Sequence, residues 1–331
     1  MKINNHLIIF IILIQSSFSQ NLRIENPEAK LPTIEYIKYF NYPYEVHSNI
    51  VTEDGYILTY YRIQSKNSII LDGKKPVLLH HGLLDNSDTF LINSEDKAPA
   101  FVLANAGYDV WLGNSRGNMH SRRHQTLNPD KDKAFWDFSY EEMSKYDLVS
   151  GFEYISKITG FSKIDYIGHS QGSTIMFIAL SERNPRIVSK LGKFIAYGPV
   201  ARIKYEHSLM LNLLQEFNVD WALYFLGIYE VLSYKWFINH PILEAFCGFL
   251  PRICRSALGP IADTNPSVDN YKRMDVLVGH DPAGTSLKNM ELWKQGKRKG
   301  YYEYKYGHCT FMWGNSMVHL KDTLDILEEK I

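Results

Sequence analysis

Gly168-His169-Ser170-Gln171-Gly172 is a G-x-S-x-G pentapeptide lying between two apolar runs. Ile164 to Ile167 reads as a buried strand and Ile175 to Leu180 as a helix. Strand, sharp turn and helix together form the context of a nucleophile elbow. The glycines remove the Cβ atoms that would collide there, and the serine Oγ is lifted to the carboxyl edge of the sheet. Ser170 is therefore the candidate nucleophile. A serine hydroxyl needs a base to take its proton and N–H donors to hold the oxyanion. His308 is the candidate base, because Tyr301 to Tyr306 alternates like a strand that delivers Gly307-His308 ahead of a helix expected from Val318 to Lys330. The backbone N–H groups of Leu83, on the glycine loop after a short strand, and of Gln171, directly after the serine, are the candidate oxyanion donors.

The elements that must position these groups can be read in order. Val46 to Ile63 predicts a hairpin turning at Asp54-Gly55. Val77 to His81 predicts a strand running into Gly82-Leu83-Leu84. A helix over Pro99 to Ala106 should stop at Gly107, and Tyr108 to Leu112 should be the next strand. Ser139 and Glu142 form a capping box for a helix reaching Thr159, with Gly160 as its stop. Lys193 to Gly198 predicts a further strand. Strands and helices alternate with short connections, so the fold class is α/β, with a mostly parallel sheet and helices on both faces. From about Pro199 to Gln295 the alternation is lost. Leu209 to Leu214 and Trp221 to Tyr229 read as helices apolar on more than one face, as an inserted helical cap above the serine would be. Such a lining suits a long acyl chain, since each buried methylene contributes about 0.8 kcal/mol.

Composition removes other classes. Lys plus Arg and Asp plus Glu are 36 each in 331 residues, so no net field favours nucleic acid. His120 and His124 stand four apart without a third ligand at metal-site spacing, so no metal and no cofactor are expected. Lys2, the apolar run Leu7 to Ile14 and the small residues before Gln20 read as a secretory signal peptide. Eight apolar residues are too few to span a bilayer, which needs about 20, and no other stretch approaches that length, so no transmembrane segment is expected. In the oxidising compartment this implies, Cys247 and Cys254 are the nearer pair among three cysteines.

Taken together, several motifs resemble the acid lipases, the gastric and lysosomal branch of the α/β-hydrolases. They are Glu53-Asp54-Gly55-Tyr56, His81-Gly82-Leu83-Leu84, Trp111 to Asn118, Phe138 to Met143, Gly168 to Gly172, Gly198-Pro199-Val200-Ala201 and Pro282-Ala283-Gly284-Thr285-Ser286. The resemblance covers nearly all of the chain after the signal peptide. It implies Ser170 as nucleophile, His308 as base, Leu83 and Gln171 as oxyanion donors, and a helical lid. It further implies ester hydrolysis of neutral lipids, acylglycerols or sterol esters, at a lipid-water interface by a secreted or lysosomal enzyme. The implied organisation is a signal peptide at 1–19, a first core part at 20–198, a cap at 199–296 and a final core part with the histidine loop at 297–331.

One departure concerns the triad acid. The family has a strand and an acid-bearing stretch between the cap and the histidine loop, whereas here Met290-Glu291-Leu292-Trp293 precedes His308 by only about fifteen residues. The acid is thus unknown and one strand-helix unit is expected to be missing. Asp281, in Gly279-His280-Asp281, aligns with a cap position, and Asp322 falls in the final helix. Losing the acid from a Ser-His-Asp triad costs about 10⁴ in kcat. The alternative function is accordingly a catalytically impaired, lipid-binding relative, or a shortened version of a working lipase. The family's cap disulfide has a wider spacing than Cys247 to Cys254.

Overall fold

A computed structural model describes residues 26–66, 75–200, 219–233, 248–250, 252–253, 270–295, 320, 323–324 and 327–328. Strands β1 (Tyr44–Val51) and β2 (Ile57–Ile63) form the expected hairpin, with Gly55 at φ 95° in its turn. Strands β3 (Pro76–His80), β4 (Asp109–Gly113), β5 (Ile164–His169) and β6 (Leu191–Tyr197) follow. The sheet order is β1-β2-β4-β3-β5-β6. Pairing is antiparallel from β1 to β4 through β2, and parallel among β4, β3, β5 and β6. β3, β4 and β5 are buried at every position, as their unbroken apolar runs require of strands covered on both faces.

The two faces separate by the period of two along each strand. Val77, Leu79, Val110, Leu112 and Ile167 enter one buried cluster, shared with helix α1 (Thr33–Tyr39) and helix α2 (Pro99–Asn105). Leu78, Trp111 and Tyr166 enter the other, shared with α3 (Leu148–Thr159) and α4 (Gln171–Ser181). α3 is preceded by the Ser139 capping box and by a π-helical turn, Met143–Asp147, and ends at Gly160 with φ 75°. A short α5 (Pro185–Val188) leads into β6.

Within the stretch expected as a cap, α6 (Val219–Phe225), the strand pair β7 (Glu230–Val231) and β8 (Thr285–Ser286), α7 (Met274–His280) and α8 (Leu287–Gln295) are described. Met274, Val276, Leu277 and Val278 of α7 join the same cluster as Phe90 and Phe101, so this part is continuous with the core. The signal peptide, Leu209 to Leu214, the three cysteines and the strand expected at Tyr301 to Tyr306 lie outside the described residues. Of the final helix, only parts of 320–328 are described.

Candidate active site

Ser170 connects β5 to α4 with φ 51° and ψ −115°, a left-handed backbone that few L-residues adopt and that costs of order 1–3 kcal/mol. Its surroundings hold it there. The Ser170 N–H donates to the Tyr197 carbonyl at 2.9 Å, and a Cβ on Gly168 would lie 2.6 Å from the Gly172 carbonyl carbon. Gly172 in turn packs against the His80 carbonyl so closely that any side chain there would displace β3. The two glycines of the motif are thus required by contact.

Two peptide planes next to Ser170 have their orientation fixed from behind. The Ser170 carbonyl accepts the Ser173 N–H at 2.9 Å and the Ser173 hydroxyl at 2.5 Å. In a trans peptide the carbonyl and the following N–H point opposite ways, so the Gln171 N–H is turned away from α4 toward the serine side. The same holds at the glycine loop. His81 Nδ1 lies 2.8 Å from the Gly82 carbonyl oxygen, and His81 Nε2 lies 3.1 Å from the Ser115 amide nitrogen and 3.2 Å from Asn118 Nδ2. A carbonyl only accepts and an amide N–H only donates, so His81 is neutral with its proton on Nδ1. Burial pushes its pKa down, consistent with that form. Holding the Gly82 oxygen fixes the direction of the Leu83 N–H on the opposite side of the same peptide. The glycine loop abuts the serine: a Cβ on Gly82 would stand 3.2 Å from Ser170 Cβ and 3.2 Å from His169 Nδ1.

Of the sequence-predicted residues, Ser170, Leu83 and Gln171 are thus brought together. His308 and Asp322 lie outside the described residues. Asp281 is engaged elsewhere: its Oδ1 accepts from Asn86 Nδ2 at 3.2 Å, and burial together with the Asp85 carboxylate pushes its pKa well up. These contacts tie Asp281 to the loop after β3, and its relation to His308 falls outside the described residues. Among the described residues no group of three His, Cys, Asp or Glu could hold a metal ion. His120 instead meets Tyr61 at 3.1 Å, and His124 meets the Asp54 carbonyl at 2.8 Å.

Three residues near the serine were not anticipated. The Gln171 side chain is held by Asn289 and Trp293 of α8, and His81 orients the glycine loop. The i, i+4 spacing of Asn289 and Trp293 puts both on one face of a helix, which is the signal available in the sequence.

A strained serine between a parallel strand and a helix, facing a glycine loop from the neighbouring strand, defines the α/β-hydrolase class. The family model described as "alpha/beta hydrolase fold" matches residues 75–329, and that of a "Partial alpha/beta-hydrolase lipase region" matches 33–94. The chain is 39% identical to bovine (Bos taurus) gastric triacylglycerol lipase over 88% of this chain and 71% of that one. It is 38% identical to human lysosomal acid lipase/cholesteryl ester hydrolase over 88% of this chain and 71% of that one. A solved structure from Sulfolobus solfataricus, at 14% identity, superposes with a TM-score of 0.55 over 87% of this chain and 99% of that one, which speaks for the fold. The chain belongs to the acid lipase family of the α/β-hydrolases.

Proposed function

We propose that this chain hydrolyses neutral lipid esters through an acyl-enzyme on Ser170. Ser170 Oγ attacks the ester carbonyl, His308 takes its proton and returns it to the leaving alcohol, and the Leu83 and Gln171 N–H groups receive the oxyanion. Water then attacks the acyl-enzyme by the same route and releases the fatty acid. The observation that carries the reading is the positive-φ Ser170 set against a glycine loop whose peptide His81 holds from behind.

Acylglycerols or sterol esters as substrates are supported by the relatives, named as triacylglycerol lipase and cholesteryl ester hydrolase. A lipid-water interface as the working surface is supported by Trp221, Phe225 and Leu226, exposed by 71%, 80% and 68% on and just after α6. Among the described residues no helix is long and apolar enough to cross a membrane. Secretion or lysosomal delivery is supported by the signal-like first 19 residues and by the gastric and lysosomal relatives.

A second reading, a lipid-binding relative without turnover, draws on the sequence, where Met290-Glu291-Leu292-Trp293 precedes His308 by only about fifteen residues and leaves the triad acid unassigned. The deciding experiment treats folded protein with a fluorophosphonate probe and with emulsified triacylglycerol. Labelling and hydrolysis that both vanish in Ser170→Ala, with hydrolysis also lost in His308→Ala, support the enzyme. Absence of both in folded wild type overturns it in favour of the binding relative.

A further inference from the structure

Trp293 touches both residues assigned to the oxyanion. Its Nε1–H donates to Gln171 Oε1 at 2.7 Å, and its ring packs against Leu83, Tyr140 and Val200. The Tyr140 contact is edge-on, with ring centroids 5.6 Å apart. Asn289, one turn earlier on α8, donates from Nδ2 to the same Gln171 oxygen at 2.9 Å and to Thr285 Oγ1 at 3.0 Å, while its Oδ1 accepts the Tyr140 N–H at 2.9 Å. An indole N–H can only donate, so the atom of Gln171 facing it is the carbonyl oxygen, and its two lone-pair positions are both taken. Gln171, Asn289 and Trp293 are 2%, 0% and 4% exposed, so water does not compete for these bonds.

We propose that Asn289 and Trp293 are positioning residues for ester hydrolysis, α8 holding both oxyanion donors in register through the Gln171 amide and the Leu83 side chain. The proposal rests on the reading of Ser170 as nucleophile. Pinning the Gln171 side chain fixes its Cα at the head of α4 and hence the φ that aims its N–H. The Trp293 ring packs against the Leu83 side chain. Of the groups this network reaches, Gln171 receives two hydrogen bonds and Leu83 the Trp293 ring, so α8 meets both residues proposed for the oxyanion.

The test compares wild type, Trp293→Phe and Asn289→Ala in the full chain. Trp293→Phe keeps an aromatic ring against Leu83 and removes the donor. Active sites are titrated by a p-nitrophenyl alkylphosphonate, whose P=O oxygen occupies the oxyanion position as Ser170 is phosphonylated and p-nitrophenolate leaves. The rate of that step, kcat per titrated site on a soluble short-chain ester, KM and Tm are measured. Both variants are expected to lose about tenfold in phosphonylation rate and in kcat per titrated site, less than the 10² to 10³ of losing a donor outright, with KM unchanged. Wild-type kcat per titrated site in both variants, whatever happens to Tm, overturns the proposal. Should Trp293→Phe fail to fold, Asn289→Ala decides alone. A folded wild type that neither reacts nor hydrolyses ester overturns the nucleophile reading, and this inference with it.

Discussion

His280 Nδ1 stands 2.9 Å from Asp88 Oδ2, and His280 Nε2 stands 3.1 Å from the Glu28 carbonyl oxygen. Both ring nitrogens face acceptors, so the ring is an imidazolium paired with a buried carboxylate. Burial alone would lower the His280 pKa, but the Asp88 contact overrides it and raises the value. Burial would raise the Asp88 pKa, but the histidines facing it, His120 Nε2 at 3.7 Å and His280 Nδ1 at 2.9 Å, hold it far below the carboxylate range. Thr33 also donates to Asp88 Oδ1, at 2.7 Å. The pair ties α7 to the loop between β3 and α2 and to the segment before α1.

Its contribution to stability has two pH limits. A raised His280 pKa stabilises fully below the unfolded histidine value, about 6.5, and the contribution is lost as pH rises through the folded value. A depressed Asp88 pKa stabilises above the unfolded aspartate value, about 3.9, and that contribution is lost as pH falls below it. The Asp88→Asn variant should therefore be less stable than wild type by about 3–5 kcal/mol between roughly pH 4 and 6.5. The gap should narrow on both sides. Chemical denaturation of both proteins across this range measures it, and a gap independent of pH would contradict the ionic account.

His81 makes a separate prediction about the rate. His81→Ala frees the Gly82 carbonyl, so the Gly82-Leu83 peptide can rotate and the proposed oxyanion donor at Leu83 is misaimed for part of the time. A fall in kcat of about 10 to 10² with little change in KM is expected, bounded by the cost of losing a donor completely. Because burial keeps the His81 pKa below the ordinary histidine value, its neutral form persists into acid. A pH–rate profile should therefore show no acid limb from His81 near 6.5. Equal loss in KM and kcat would point instead to a misshapen pocket.

Much of this arrangement was legible because its signals are local. Asp54-Gly55 between alternating runs marked the hairpin, Ser139 with Glu142 marked the helix start, and Gly168 and Gly172 around Ser170 marked the elbow. Each is decided within a few residues by turn or cap chemistry. The hold on Gln171 was not legible. Asn289 and Trp293 reach it across 118 and 122 positions, and no local pattern distinguishes such a contact from an ordinary buried helix face. His81 read as the end of a strand, because its role depends on where Ser115 and Asn118 return after β4. The triad acid was undecided in the sequence for a different reason: the interval between Trp293 and His308 is too short for the family's acid-bearing strand, and Asp281, though in a suggestive tripeptide, aligns with a cap position.

Arg116 ties three distant segments together. Its Nε donates to Asp147 Oδ1 at 2.8 Å and its backbone N–H to Asp147 Oδ2 at 2.9 Å. Its two terminal nitrogens grip Asp54 at 2.5 Å and 2.9 Å. The guanidinium also lies 4.0 Å from the centre of the Tyr56 ring. At 1% exposure this arginine fixes the loop after β4 against the hairpin turn and the π turn before α3. Arg116→Lys cannot reproduce the fork, and Arg116→Ala leaves two carboxylates without their cation. Arg116→Ala should cost about 3–5 kcal/mol and Arg116→Lys somewhat less. Thermal melts of folded variants measure this, and a change under about 0.5 kcal/mol, the scale of an ordinary surface substitution, would contradict it.

Trp221 and Phe225 stack with ring centroids 5.7 Å apart on the exposed side of α6, where burial from water is open to a lipid surface. An aromatic pair gains its transfer free energy only when such a surface is present. Trp221→Ala with Phe225→Ala should therefore leave hydrolysis of a soluble short-chain ester within about twofold of wild type. On emulsified triacylglycerol the rate should fall by about tenfold or more, corresponding to roughly 1.4 kcal/mol of lost interfacial binding, well within what two aromatic side chains supply. Binding to phosphatidylcholine-coated triolein droplets, measured by flotation, should weaken in parallel. An equal loss on both substrates would place the pair in the fold or the acyl site, and no loss on either would remove α6 from the interface.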